Sequence, residues 1–96
     1  MQDTRVQITD DFVDKAVHPK AGQTIYRDSR LIGFGLRITS GKKSFIAEAR
    51  VNEKNRRVTI GRADFLSVDE ARKEARQLLR LMASGIHPLT IKERRK

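Results

Sequence analysis

Between Phe34 and Arg62, arginine, lysine and hydroxyl side chains alternate with apolar ones. Arg37, Arg50 and Arg57 carry planar guanidinium forks, which donate paired hydrogen bonds to anionic or carbonyl-rich partners. Lys42 and Lys43 lie together in one turn-like segment and Lys54 in another. Thr39, Ser44 and Thr59 add short hydroxyls, Ile46 an apolar contact, and Glu48 a carboxylate among the cations. Such a set suits recognition of an extended anion. It does not suit bond breaking, because no carboxylate cluster or paired histidine accompanies it.

Two strand hairpins are needed to bring these residues together. Side chains alternate across a strand with period two. One face then holds Phe34, Leu36 and Ile38, then Phe45, Ala47, Ala49 and Val51, then Val58 and Ile60. The other holds Arg37 and Thr39, then Ser44, Ile46, Glu48 and Arg50, then Arg57, Thr59 and Gly61. Pairing Ile38 with Phe45 closes one hairpin over Thr39–Ser44, and pairing Val51 with Arg56 closes the next over Asn52–Asn55. Both registers keep apolar pairs on one face, and a slip of one residue would drive them into water.

A helix beginning at Ser67 is expected to cover the apolar face. Ser67-Val68-Asp69-Glu70 has the pattern of a capping box, and Val68, Ala71, Ala75, Leu78, Leu79 and Met82 form a stripe at helical spacing. Gly85 ends this helix and Pro88 prevents its resumption. Upstream, Thr9 caps a short helix over Asp10–Val17 with Phe12, Ala16 and Val17 as its inner side. His18-Pro19-Lys20-Ala21-Gly22 breaks it. Thr24–Asp28 is a candidate extra edge strand with Ile25 or Tyr26 packed inward. The expected fold class is therefore α+β: a three-stranded antiparallel sheet, with that extra edge strand, packed against a C-terminal helix and preceded by a short N-terminal helix.

The chain has 96 residues, enough for one domain. It carries 21 Lys and Arg against 12 Asp and Glu, a net charge of +9. Residues 1–20 are net −1, residues 21–64 net +6 and residues 65–96 net +4, so the positive charge begins with the sheet. There is no cysteine, which excludes a disulfide framework and thiolate metal sites and fits a cytoplasmic setting. No apolar run approaches the roughly 20 residues of a membrane span, and no signal-peptide core opens the chain. His18 and His87 each precede a proline, without a plausible ligand cluster. No metal or cofactor is expected.

A cationic sheet face on a strongly basic chain points to nucleic acid. With the registers above, Thr39 faces Ser44. Arg37, Ile46 and Gly61 form a second row, Gly35, Glu48 and Thr59 a third, and Arg50 faces Arg57. Like charges directly opposed on adjacent strands cost stability unless a polyanion neutralises them. A small sheet is slim enough for the DNA major groove, where arginine can donate bidentately to guanine. Lys42, Lys43 and Lys54 would then reach flanking phosphates. Glu48 repels phosphate unless it accepts from cytosine or orients Arg37, Arg50 or Arg57; its role stays open.

The ordered segments Tyr26-Arg27-Asp28, Gly33-Phe34-Gly35-Leu36-Arg37-Ile38 and Gly41-Lys42-Lys43-Ser44-Phe45 are succeeded by three more. These are Arg56-Arg57-Val58-Thr59-Ile60-Gly61-Arg62, Leu66-Ser67-Val68-Asp69-Glu70-Ala71-Arg72 and Gly85-Ile86-His87-Pro88. Together they resemble the N-terminal arm-type DNA-binding domain of phage and genomic-island tyrosine recombinases (integrases), from about Thr9 to Pro88. The resemblance implies a three-stranded sheet inserted into the major groove of arm-type sites. It carries DNA contact onto Arg37, Ser44, Ile46, Glu48, Arg50, Arg57 and Thr59. Members usually have a basic or bulky residue at the position of Glu48, and an aromatic or large aliphatic one at Ala47 and Ala49.

The same resemblance divides the chain into an arm-type domain over 1–88 and a basic tail or linker over 89–96. Recombinase chemistry belongs, in the family, to a separate C-terminal catalytic domain with a tyrosine nucleophile. Tyr26, the only tyrosine, looks structural, so this polypeptide is expected to bind DNA without cutting it. The implied partners are double-stranded DNA and, through a full-length parent, other integrase protomers and accessory DNA-bending proteins. The alternative is a small RNA-binding domain of double-stranded-RNA-binding or ribosomal type. Such domains read successive minor grooves mainly with helices and loops, whereas here the charge favours the sheet. A small nuclease has no carboxylate cluster to support it.

Overall fold

The computed structural model describes residues 5–85. Their elements are β1 (Arg5–Val6), α1 (Asp10–Lys15), β2 (Gln23–Asp28), β3 (Phe34–Thr39), β4 (Lys43–Val51), β5 (Lys54–Arg62) and α2 (Val68–Ala83). The strands form one five-stranded sheet in the order β1-β2-β3-β4-β5. β1 runs parallel to β2, and every other neighbouring pair is antiparallel. The α+β class is as expected, but the sheet is mixed and has two strands more than the three-stranded core.

The added strands have identifiable causes. β2 pairs along its length with β3, placing Tyr26 beside Leu36 and Ile25 beside Arg37. Tyr26 is thus the inward residue, and its ring meets that of Phe12 edge-on at 5.0 Å. β1 is only two residues long and is held largely by bonds to Asp28 and Ser29 around the end of β2. The Ser29 amide donates to the Val6 carbonyl at 2.8 Å, and the Ile8 amide to Asp28 Oδ1 at 3.1 Å. No hydrophobic periodicity can announce a strand of that length.

Both hairpins close more tightly than the sequence suggests. Observed partners are Ile38–Lys43, Leu36–Phe45 and Phe34–Ala47 in the first, and Val51–Lys54, Ala49–Arg56 and Ala47–Val58 in the second. The Asn52–Glu53 loop has φ of 53° and 69°, the left-handed pair of a two-residue hairpin turn. In the first hairpin the Thr39 amide donates to the Lys42 carbonyl at 2.9 Å. Each register therefore moves by two residues. An even shift leaves every side chain on its expected face but changes which residue it opposes.

A bulge between Phe45 and Ile46 leaves Ile60 unpaired, so Gly61 lies opposite Phe45 and not beside Ile46. A Cβ at Gly61 would come within 2.7 Å of Leu66 Cδ1. Gly61 thus belongs to the covered side of the sheet, where the chain turns towards α2.

Ser67 caps α2 in a reciprocal capping box with Glu70. The Val68 amide, another free donor of that first turn, is taken by Asp10 Oδ1 at 2.8 Å, tying α1 to the start of α2. α2 ends at Ser84 and Gly85, the latter with φ of 87°. Val68, Ala71, Ala75, Leu78 and Met82 are buried against Phe34, Leu36, Ile38, Phe45, Ala47, Val51 and Val58. Phe34 and Phe45 stack with centroids 5.6 Å apart. Small residues at 47, 71 and 75 let helix and sheet approach closely. α1 stops at Lys15; Phe12 and Ala16 pack half-buried against the core as expected, whereas Val13 is its buried residue and Val17 is exposed, contrary to expectation.

Arg72 also lies in the core, 8% exposed, paired with fully buried Asp28. Its Nε donates to Asp28 Oδ2 at 3.1 Å and its Nη2 to Asp28 Oδ1 at 3.2 Å and the Ile8 carbonyl at 2.8 Å. The Leu31 amide donates to Asp28 Oδ2 at 3.0 Å. Burial alone would raise the Asp28 pKa. The Arg72 hydrogen bonds and charge, with the Ile8 and Leu31 amides, outweigh it and hold the group below its ordinary value of 3.8. This pair joins β2, α2 and the segment at Ile8 that follows β1.

Candidate nucleic-acid interface

Among the described residues, α2 covers one face of the sheet and no helix covers the other. The observed registers lay out that open face in rows. Ile25, Arg37, Ser44 and Arg62 form one, and Arg27, Gly35, Ile46 and Thr59 the next. Glu48 then faces Arg57, and Arg50 faces Asn55 near the second turn. The expected opposition of Arg50 and Arg57 does not occur, because the tighter turn moves Arg57 on to Glu48.

Glu48 is the organising residue. Its Oε1 accepts from Arg27 Nη1 at 2.6 Å, and its Oε2 from Arg57 Nη2 at 3.1 Å and Asn55 Nδ2 at 3.2 Å. Partial burial would raise its pKa, but the hydrogen bonds and charges of Arg27 and Arg57 prevail and keep it below 4.5. It therefore stays ionised at neutral pH and holds two guanidinium groups whose side chains are about one-third exposed. Of the open roles for this carboxylate, orienting Arg57 is realised, with Arg27 as an additional partner.

The remaining candidates divide by accessibility. Arg37 donates through Nε to Gln23 Oε1 at 2.6 Å, and Arg50 through Nη2 to the Glu53 carbonyl at 3.1 Å. Lys42, Arg50, Lys54, Arg57 and Thr59 are exposed, and Arg37 is half-buried. Ser44 and Ile46 are 5% and 1% exposed and offer almost no surface to a ligand. Ile46 lies over Gly35, whose Cβ would be 3.5 Å from its Cγ1, in the middle of a face of longer side chains. Lys43 sits on the covered side, and its Nζ donates to the Val13 carbonyl at 2.6 Å, capping α1 instead of reaching outward. It is a structural cation.

Arg27, Gln23 and Asn55 join the face although spacing along the chain does not single them out. Arg27 and Gln23 come with β2, whose pairing adds a fourth column. Asn55 falls within the longer turn that the sequence suggests. Arg5, Arg27, Arg50 and Asn55, with Glu48, line a cleft of about 280 Å³ at this end of the sheet. Among the described residues no helix is long and apolar enough to cross a membrane.

Comparisons with known proteins show the family. The sequence pattern of a family described as Arm DNA-binding domain matches residues 8–95. The chain is also similar to the prophage integrase IntF of Escherichia coli (strain K12), 38% identical over 66 residues. That match covers 69% of this chain and 14% of the relative, so the chain corresponds to a small part of that protein. The match favours DNA over the RNA-binding alternative. The chain belongs to the Arm DNA-binding domain family, and DNA is its ligand.

Proposed function

We propose that the domain lays its open sheet face into the major groove of double-stranded DNA at specific arm-type sites. It would do so as the N-terminal module of a site-specific tyrosine recombinase that integrates or excises a prophage or genomic island in the bacterial cytoplasm. The strand-cutting chemistry, and any contact with other protomers or DNA-bending proteins, would belong to the full-length parent. The observation that carries the reading is the Arg27–Glu48–Arg57 arrangement on the open face. Guanidinium groups fixed before binding can meet base edges with little loss of side-chain entropy. Arg37, Arg57 and Thr59 would meet base edges, and Lys42, Arg50 and Lys54 the phosphates around them. Ser44, Ile46 and Lys43 would act from beneath, by holding the face in shape.

The test is a competition between a DNA duplex enriched for binding from a random pool and an RNA duplex of equal length, at two salt concentrations. DNA is expected to win, with a log–log salt slope of about −4 to −5 for roughly four to six phosphate contacts. Equal or tighter RNA binding would overturn the proposal.

A further inference from the structure

A second group of cations lies outside the sheet face. Lys73, Arg76 and Arg80 recur at i, i+3 and i+7 along one exposed flank of α2. Arg30, from the β2–β3 connection, joins Lys73 and Arg76 around a cleft of about 330 Å³ completed by Arg72 and Asp69. Arg72 is committed to Asp28, with Asp69 3.8 Å from its Nη1. Arg30, Lys73 and Arg76 are exposed, and among the described residues none of them is in an ion pair. Three like charges gathered at one concavity repel one another, and a bound anion relieves that repulsion.

From this geometry we infer that the Arg30–Lys73–Arg76 cleft holds backbone phosphates of the same DNA duplex whose groove the sheet enters. The inference rests on the duplex-binding reading above and extends it to the helix. Two observations select DNA over a protein partner. Every side chain lining the cleft is charged, which suits hydrated phosphates, whereas the centre of a protein interface is depleted of charge. The cleft also lies close along the chain to the sheet-face site. Arg27 and Arg50 line the first cleft and Arg30 the second. Arg27 and Arg30 are separated by three residues, at most about 11 Å of chain. At one charge per 3.4 Å of axis per strand, that distance corresponds to about three phosphates. A basic track thus runs from the open face, around the end of β2, onto α2. Asp69 borders it, with its charge offset by Arg72.

The test compares the full chain with two variants on a random-sequence duplex and on a duplex enriched by selection. The first variant is Arg30→Gln/Lys73→Gln/Arg76→Gln, which keeps helix propensity; the second is Arg37→Ala/Arg57→Ala. A thermal melt confirms that each is folded. The track predicts that the first variant flattens the salt slope by about 2 to 3 and weakens both duplexes by the same factor, about tenfold or more at moderate salt. The second should mainly lose the preference for the selected duplex. If the first variant keeps the parental slope while the second loses preference, the track is wrong and the sheet reading stands. If neither variant changes binding, both fall.

Discussion

Glu48 stands directly across from Arg57 on adjacent strands and bridges it to Arg27, with contacts of 3.1 and 2.6 Å. A carboxylate in the middle of the proposed DNA-binding face is unfavourable for phosphate attraction, yet it holds two arginines that would otherwise sample many rotamers. In the proposed complex, long-range attraction would be reduced and geometric selectivity gained.

That exchange is measurable. Glu48→Ala removes the repulsive charge and frees both arginines, so affinity for random-sequence DNA should rise. Discrimination between selected and random duplexes should fall about tenfold, on the scale of one good bidentate base contact. Stability should drop by only about 1 kcal/mol, because Arg27 and Arg57 are partly exposed and regain water. Fluorescence anisotropy with both duplexes checks this. Preserved discrimination would mean that Glu48 does not position the arginines.

Arg72 should be structural and costly to remove. Arg72→Met leaves the Asp28 carboxylate buried without its partner, which destabilises by about 3 to 5 kcal/mol. Adding Asp28→Asn should recover much of that loss, because no charge is then stranded. Urea denaturation of the two single variants and the double variant gives the coupling directly. Additive losses would contradict a coupled pair.

Stability should also track the two depressed carboxylates. The folded state holds the Asp28 and Glu48 pKa values below their ordinary 3.8 and 4.5. Their contribution is therefore complete above the unfolded values and is lost as pH falls from there through the lower folded-state values. Urea midpoints should be level from about pH 7 to pH 5.5 and fall below about pH 5. In Asp28→Asn/Arg72→Met the fall should be shallower. An identical acid limb in that variant would locate the titration elsewhere.

Much of this arrangement is legible in the sequence because alternation and helical spacing are strong signals. The two faces of β3 and β4, the capping box at Ser67 and the stop at Gly85 all come from local pattern. Registers are not decided by it, since a shift of two residues satisfies the same alternation. In the second hairpin the left-handed Asn52–Glu53 turn goes with the tighter register, and glutamate is an unusual residue there. That shift replaces an Arg50–Arg57 clash with a Glu48–Arg57 pair. Arg72 is at a helical position next to the stripe and reads as surface until Asp28, 44 residues away, is brought to it. Burial of Ile46 and Ser44 on the nominally open face depends on neighbours from other strands, which spacing along one strand does not show.

Gly33 gives a backbone test. Its φ is 100°, a Cβ there would come within 2.8 Å of Leu79 Cδ2, and its carbonyl accepts the Glu48 amide at 2.7 Å. Gly33→Ala should cost about 2 kcal/mol or more through strain and crowding. The melting temperature should fall accordingly, and DNA discrimination should decline with it because Glu48 is displaced. A melting temperature equal to the parent's would contradict the geometry of this corner.

The central claim is that the sheet face opposite α2 meets the duplex. Its most direct measurement is amide and side-chain shift mapping by NMR as a selected DNA duplex is titrated into the full chain. The largest changes are expected at Arg27, Arg37, Asn55, Arg57 and Thr59, exceeding any along the exposed flank of α2. Shifts that leave those five unchanged while the duplex is bound would contradict it.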